Sequence, residues 1–202
     1  MATSKKSYHH GNLEEALLTS GIEEARRSGS QNLGVTHLAK QVNVSPMAVY
    51  RHFSNGESLR ASISQQAREE LARYMLSELE GKTGVKNRFL AVGRAYVKFG
   101  LNEPGLFSVA FLDCGAQPKR EDNPSAWMIF YDRILDLCNE GIIDASEVEA
   151  VAALAWSSVH GFAVLAGGEN PSIAGSSESE VEELLERTWA GVIHTRSREI
   201  PL

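Results

Sequence analysis

Apolar residues return every three or four positions along almost the whole chain, and no stretch alternates apolar with polar. A half-buried strand needs a period of two and a helix a period of 3.6, so this rhythm allows helices and little else. Leu13, Leu17, Leu18, Ile22 and Ala25 predict a first helix that stops at Ser28-Gly29. Val35, Leu38, Ala39 and Val42 share one face of a short second helix, broken by Asn43-Val44. A third is expected from Pro46 to Phe53, where Ser45 can cap the start and Pro46 stands where no N–H is needed. A longer helix should follow over 57–79, then a loop at Gly81-Lys82-Thr83-Gly84. Val85, Phe89, Val92 and Tyr96 mark another, closed by Asn102-Glu103-Pro104-Gly105, with a brief one over 106–112. Trp127, Phe130, Ile134 and Leu137 define a further helix; 145–165 is long and rich in small residues, and 178–194 closes the set. Residues 115–124 read as an exposed loop and 167–177 as a Gly/Ser/Pro linker. The expected architecture is all-α with about nine helices, a small N-terminal module of three and a larger helical body.

A chain of 202 residues can bury a real core. No run approaches 18 consecutive apolar residues, so no membrane-spanning helix is expected. The polar stretch from Met1 to Gly11, with Lys5, Lys6, His9 and His10, has no apolar segment of the secretory kind. Cys114 and Cys138 are too few for a disulfide framework and too far apart for a zinc knuckle, and read as inert thiols in a reducing cytoplasm.

The net charge of −6 excludes a chain that coats nucleic acid indiscriminately, yet the charge is unevenly spread. Residues 1–60 hold seven Lys/Arg (Lys5, Lys6, Arg26, Arg27, Lys40, Arg51, Arg60) against five acids (Glu14, Glu15, Glu23, Glu24, Glu57), a balance of +2. Residues 61–202 carry 13 basic against 21 acidic side chains, a balance of −8. Only the N-terminal segment could face a polyanion.

That segment also holds the one motif with specific geometry. Residues 35–53 form helix, tight turn and second helix, the arrangement in which the second helix enters the major groove of DNA. Such a helix must be packed from behind and small or polar in front. Val49 and Phe53 provide the packing, while Met47, Ala48, Tyr50 and Arg51 point elsewhere. Small Ala48 permits close approach, and Met47 can touch a thymine methyl. Tyr50 and His52 can donate to phosphate oxygens, and the N–H groups at the Ser45 end favour an anion. A buried core role for Tyr50 is the alternative.

Tyr8-His9-His10-Gly11-Asn12-Leu13, then Val35 to Val44, then Val49-Tyr50-Arg51-His52-Phe53 followed by Glu57 and Leu59, resemble the N-terminal domain of the TetR family of bacterial repressors. Trp156-Ser157-Ser158-Val159-His160-Gly161 is similar to a Trp…His-Gly motif in some regulatory domains of that family. The resemblance implies a DNA-binding module over 1–56, with 1–10 a flexible arm, and a regulatory ligand-binding and dimerisation domain over 57–202. It places Tyr50 and His52 at phosphates, Ser45, Met47 and Ala48 at bases and nearby backbone, and a Thr36 hydroxyl near DNA. Arg51 completes the expected DNA-facing set. Two positions depart from the family pattern. Gly56 stands where lysine is common, which removes one phosphate contact, and Gly34 replaces a capping Ser or Thr, at a cost of a few tenths of a kcal/mol.

The function so implied is a cytoplasmic, sequence-specific transcriptional regulator, a repressor released from its double-stranded DNA operator by a small-molecule effector. One module reads about half an operator, so two must be held a helical turn or a multiple apart. The helices over 146–165 and 178–194 are the expected homodimer surface. Phe107, Phe111, Trp127, Phe130, Tyr131 and Trp156 either line an effector pocket or form simple core. His160 reads as a core or interface histidine, and His9-His10 as part of a solvated arm rather than a metal pair. No HExxH, GxSxG, Walker loop or glycine-rich dinucleotide turn occurs, so no enzyme, cofactor or metal is expected. The competing readings are a helical hydrolase with a helix-turn-helix-like corner, and a ligand-binding scaffold without an operator.

Overall fold

The computed structural model describes residues 13–112, 124–167 and 177–194. The arm over 1–10, Cys114, most of the loop at 115–124 and most of the linker at 167–177 lie outside the described residues. The remainder holds nine α-helices: α1 (Leu13–Ser28), α2 (Val35–Gln41), α3 (Pro46–Val49), α4 (Gly56–Leu79), α5 (Val85–Asn102), α6 (Pro104–Ala110), α7 (Ala126–Asn139), α8 (Val148–Gly167) and α9 (Glu178–His194). A 3₁₀ turn over Ala145–Glu147 leads into α8, and the described residues contain no strand.

Local chemistry sets the boundaries. Asn43 takes φ 57°, and the Val44 and Asn43 N–H groups return to the Ala39 and Lys40 carbonyls, which closes α2 with a left-handed residue and opens the tight turn. Ser45 caps α3 by accepting from the Ala48 N–H, and Asn55 and Ser58 cap α4 reciprocally. Gly34 precedes α2 without a side-chain cap. Regular α-helix in α3 ends at Val49, earlier than Phe53, because the Arg51 and His52 N–H groups reach back only three residues, to the Ala48 and Val49 carbonyls. The other difference is at Pro104. Read as a stop, it instead begins α6, since a first helical residue needs no N–H, so only Glu103 separates α5 from α6.

The head is α1 to α3 with the start of α4. Gly21 on α1 admits Ile63 of α4 so closely that an added Cβ would lie 2.5 Å from its Cδ1. In the body α5 is central and packs against α4, α6, α7, α8 and α9. One apolar core runs without interruption from Leu13 to Val192. Ala126, Ile129, Phe130, Ile134 and Leu137 form the inward face of α7. Trp127 is 40% exposed, one position off the face its spacing suggested.

The stretch Ala145–Gly167 is long and apolar enough, by length and composition, to cross a membrane. Counting consecutive apolar residues overlooks it because Ser146-Glu147, Glu149, Ser157-Ser158 and His160-Gly161 interrupt the run. Its Val151, Ala152, Ala155, Val159 and Ala163 are buried in the protein core.

Candidate nucleic-acid interface and regulatory cavity

Val49 in α3 is fully buried and Phe53, one turn beyond the end of α3, nearly so, which fixes the opposite side outward. Met47 is 69% and Tyr50 49% exposed, so Tyr50 is not a core residue. Thr36 at the second position of α2, Ser45, Arg51 and His52 are also exposed, and Ala48 is half-buried against the core. Six of the seven expected DNA-facing residues are therefore exposed, and the small Ala48 is packed. The Ala48 N–H is used internally by Ser45, so it is not free for a ligand. His52 Nδ1 lies 4.0 Å from Glu14 Oε2, which ties the end of the turn to α1.

At Gly56 a Cβ would sit 3.7 Å from Arg60 Nη1. The guanidinium one turn along α4 thus lies over the position where a lysine was missing. Its signal was available in sequence, because residues four apart share a helix face.

Between α1 and α2 sits a group that the sequence shows only as one of the five acids in residues 1–60. Glu24 is buried and accepts from Ser28 Oγ at 2.7 Å, Gln41 Nε2 at 2.6 Å, Arg27 Nη2 at 2.5 Å and Asn32 Nδ2 at 3.3 Å, with His37 Nε2 at 3.2 Å. The Ser28 hydrogen bond, and then those from Gln41, His37 and Asn32, hold its carboxyl at about 2 against the opposing effect of burial. One carboxylate therefore binds the last turn of α1 to α2 and sets the angle at which α2 and α3 are presented. Its position seven residues after Leu17 places it on the inward face of α1.

The body brings all six predicted aromatics into one continuous cluster. Trp156 meets Tyr96 at 4.7 Å, Phe130 at 5.2 Å and Trp127 at 5.3 Å between ring centroids, and Trp127 meets Tyr131 at 5.6 Å. Phe107 and Phe111 lie 5.0 Å apart at its other end. Only these two of the six line a cavity of about 240 Å³, together with Gly100, Pro104, Ser108, His160, Ala163, Val164 and Gly167. Phe130 is core, and Tyr131 donates to Glu149 at 2.5 Å. His160 joins the cavity wall, and the Trp…His-Gly stretch was its signal.

Helix α6 belongs to both regions. Its Phe107 and Ser108 line the cavity, while a Cβ on its Gly105 would lie 2.3 Å from the Ala25 carbonyl oxygen of α1. Arg26 of α1 also pairs with Glu70 of α4, and lies 3.4 Å from Glu103 at the start of α6. On the far side, α8 exposes Leu154, Val164 and Leu165, and Gly191 of α9 has Leu154 within 3.7 Å of where its Cβ would be.

The family described as "Tetracyclin repressor-like, C-terminal domain" matches residues 89–190, about half of the chain. An HTH-type transcriptional regulator of Bacillus subtilis, YobS, is 27% identical over 164 residues, covering 79% of this chain and 81% of that protein. Among solved structures, a protein of unknown function from Rhodococcus sp. RHA1 superposes with a TM-score of 0.73 at 22% identity, covering 95% of this chain and 98% of its own. A TetR-family transcriptional regulator from Haemophilus influenzae superposes with a TM-score of 0.62 at 16% identity, covering 89% and 96%.

Proposed function

The chain belongs to the TetR family of transcriptional regulators, and from that premise we propose that it is a cytoplasmic homodimeric repressor released from its operator by a small molecule. The observation that carries the reading is the one-sided α3. Val49 and Phe53 anchor it while Met47, Tyr50 and Arg51 stand in solvent, beside Thr36, Ser45 and His52. Residues 1–56 form the DNA-reading module and 57–202 the regulatory part. Met47 and Ala48 approach base edges; Tyr50 and His52 donate to phosphate oxygens, with Thr36, Ser45 and Arg51 around them. Arg60 takes the place of the cation absent at Gly56.

The dimer forms through 146–165 and 178–194, where the exposed Leu154 and Leu165 on α8 lie against the same helices of a second copy. A ligand in the body binds one spacing of the two reading helices better than the other. Release then equals that difference in affinity. Helix α6 is the carrier, since it lines the cavity and touches α1. No catalytic residue is assigned.

The test is a salt-dependent gel shift on the DNA flanking the protein's own gene. Tyr50→Ala and His52→Ala should each weaken binding about tenfold, the loss of one hydrogen bond to a charged group. Arg60→Ala should lower the salt slope by about 1. Unchanged binding in the first two variants removes α3 as the reading helix. Sedimentation should give a dimer at micromolar concentration, and a monomer contradicts the assembly.

A further inference from the structure

Tyr96 is fully buried, and its hydroxyl lies 2.7 Å from His160 Nδ1. Burial pushes the Tyr96 hydroxyl far above the usual tyrosine range and holds the His160 imidazole below its usual value, so both are neutral near pH 7. A neutral imidazole carries one N–H. With that proton on Nδ1, the phenol proton would need another acceptor, and no described residue offers one. Tyr96 therefore donates to Nδ1, and the ring proton sits on Nε2. Trp156 lies parallel to the imidazole, 5° from coplanar at 6.4 Å, and Phe111 meets it edge-on at 4.9 Å, which fixes the ring.

The cavity wall consequently offers very little polar chemistry. Ser108 also lines it, but its hydroxyl already donates to the Gly105 carbonyl at 2.8 Å. Nothing among the described residues accepts from His160 Nε2. The other side chains on the wall are Pro104, Phe107, Phe111, Ala163 and Val164, with Phe111 and Val164, 40% and 49% exposed, at the rim. Among the described residues, no Lys, Arg, Asp or Glu lines it. A carboxylate there would meet no cation and an ammonium no carboxylate among the described residues, and either desolvation is costly. A cavity of about 150 Å³ is enough for benzene. The 240 Å³ here leaves room for one ring and a short substituent.

We propose that this cavity takes a small, uncharged aromatic molecule bearing a single hydrogen-bond acceptor of the carbonyl kind, held by the His160 Nε2–H, the ring lying against Phe107 and Phe111. The inference rests on reading the cavity as the effector site, and its chemistry is testable separately. Full-length protein is titrated with acetophenone, ethylbenzene, benzoate and benzylamine, with tryptophan fluorescence as readout, since Trp156 lies against His160. Acetophenone should bind about fivefold more tightly than ethylbenzene, the worth of one hydrogen bond. Benzoate and benzylamine should bind at least about a hundredfold more weakly than acetophenone. In the Tyr96→Phe/His160→Phe double variant, which keeps the rings and removes both polar atoms, the preference for acetophenone should vanish. Tyr96→Phe alone, which frees the imidazole tautomer, should shrink it.

Equal binding of acetophenone and ethylbenzene to the unaltered protein overturns the proposal. So does benzoate or benzylamine binding as tightly as the ketone, or no binding of any probe at millimolar concentration. Acetophenone binding in the expected order without loss of operator affinity in the gel shift upholds the chemistry of the cavity and refutes its role as effector site.

Discussion

In the head, α1 and α2 meet through a buried carboxylate with donors arriving from Arg27, Ser28, Asn32 and Gln41. In the body, α5, α7 and α8 meet through rings, with Phe89, Phe130, Trp127, Trp156 and Tyr96 in sequential contact. A hydrogen-bonded joint fixes direction, because donors and acceptor must align. A joint of rings fixes volume and tolerates small rotations, because apolar contact has no preferred axis. In the repressor proposed above, the module that presents a helix at one angle carries the first kind, and the part proposed to accommodate a guest carries the second.

The comparison breaks first at Phe130, if the body depends on its rings. Phe130→Ala should cost about 3–5 kcal/mol and lower the thermal midpoint measured by circular dichroism. A loss below 1 kcal/mol would mean the aromatic cluster is dispensable. Glu24→Ala should cost about 2 kcal/mol through the donors it strands, and operator affinity should fall with it. Tryptophan fluorescence should change little in that variant, because Trp127, Trp156 and Trp189 all belong to the body.

Acid sharpens the same contrast without mutation. The Glu24 carboxyl is held at about 2, below its value of 4.5 in an unstructured chain. Its contribution is therefore complete above pH 4.5 and lost as pH falls toward 2. Amide exchange in α1 and α2 should accelerate across that window before the tryptophan signal moves, and simultaneous loss argues against a separate joint. The smallest effect is expected at the α5–α9 ladder, where Arg94 pairs with Glu182 and Lys98 with Glu178 at 2.7 Å. Glu178 is exposed and Arg94, Lys98 and Glu182 are half-buried at the surface, so Arg94→Ala should cost about 1 kcal/mol, and less in high salt.

The helices and the reading motif were legible because period, caps and turn residues are local. Ser45-Pro46 marked the start of α3 and Asn43 the turn, and both act through atoms within a few residues of themselves. Glu24 was not legible as a hub, because three of its partners, Asn32, His37 and Gln41, are brought to it only when the chain folds back onto α1. The inward face of α7 was misjudged by one position at Trp127, since a ring at the edge of an apolar stripe can point either way. For Tyr50 the sequence left core and surface open, and the burial of Val49 and Phe53 decided it. His160 looked like an ordinary core histidine until its ring was found against Phe111 with one nitrogen engaged by Tyr96.

The contact at Gly105 has a consequence for how the sequence can change over time. Any side chain there would start 2.3 Å from the Ala25 oxygen, and 3.1 Å from that of Arg26, so every other residue forces the backbones apart. Position 105 is therefore closed to drift by the main chain alone, whereas Pro104 and Ser108, exposed on the same helix, are held only by what their side chains do for the helix start and the cavity. A library of variants should show position 105 intolerant of every side chain, alanine included, an inherited constraint set by two stretches of main chain and by no side chain at all.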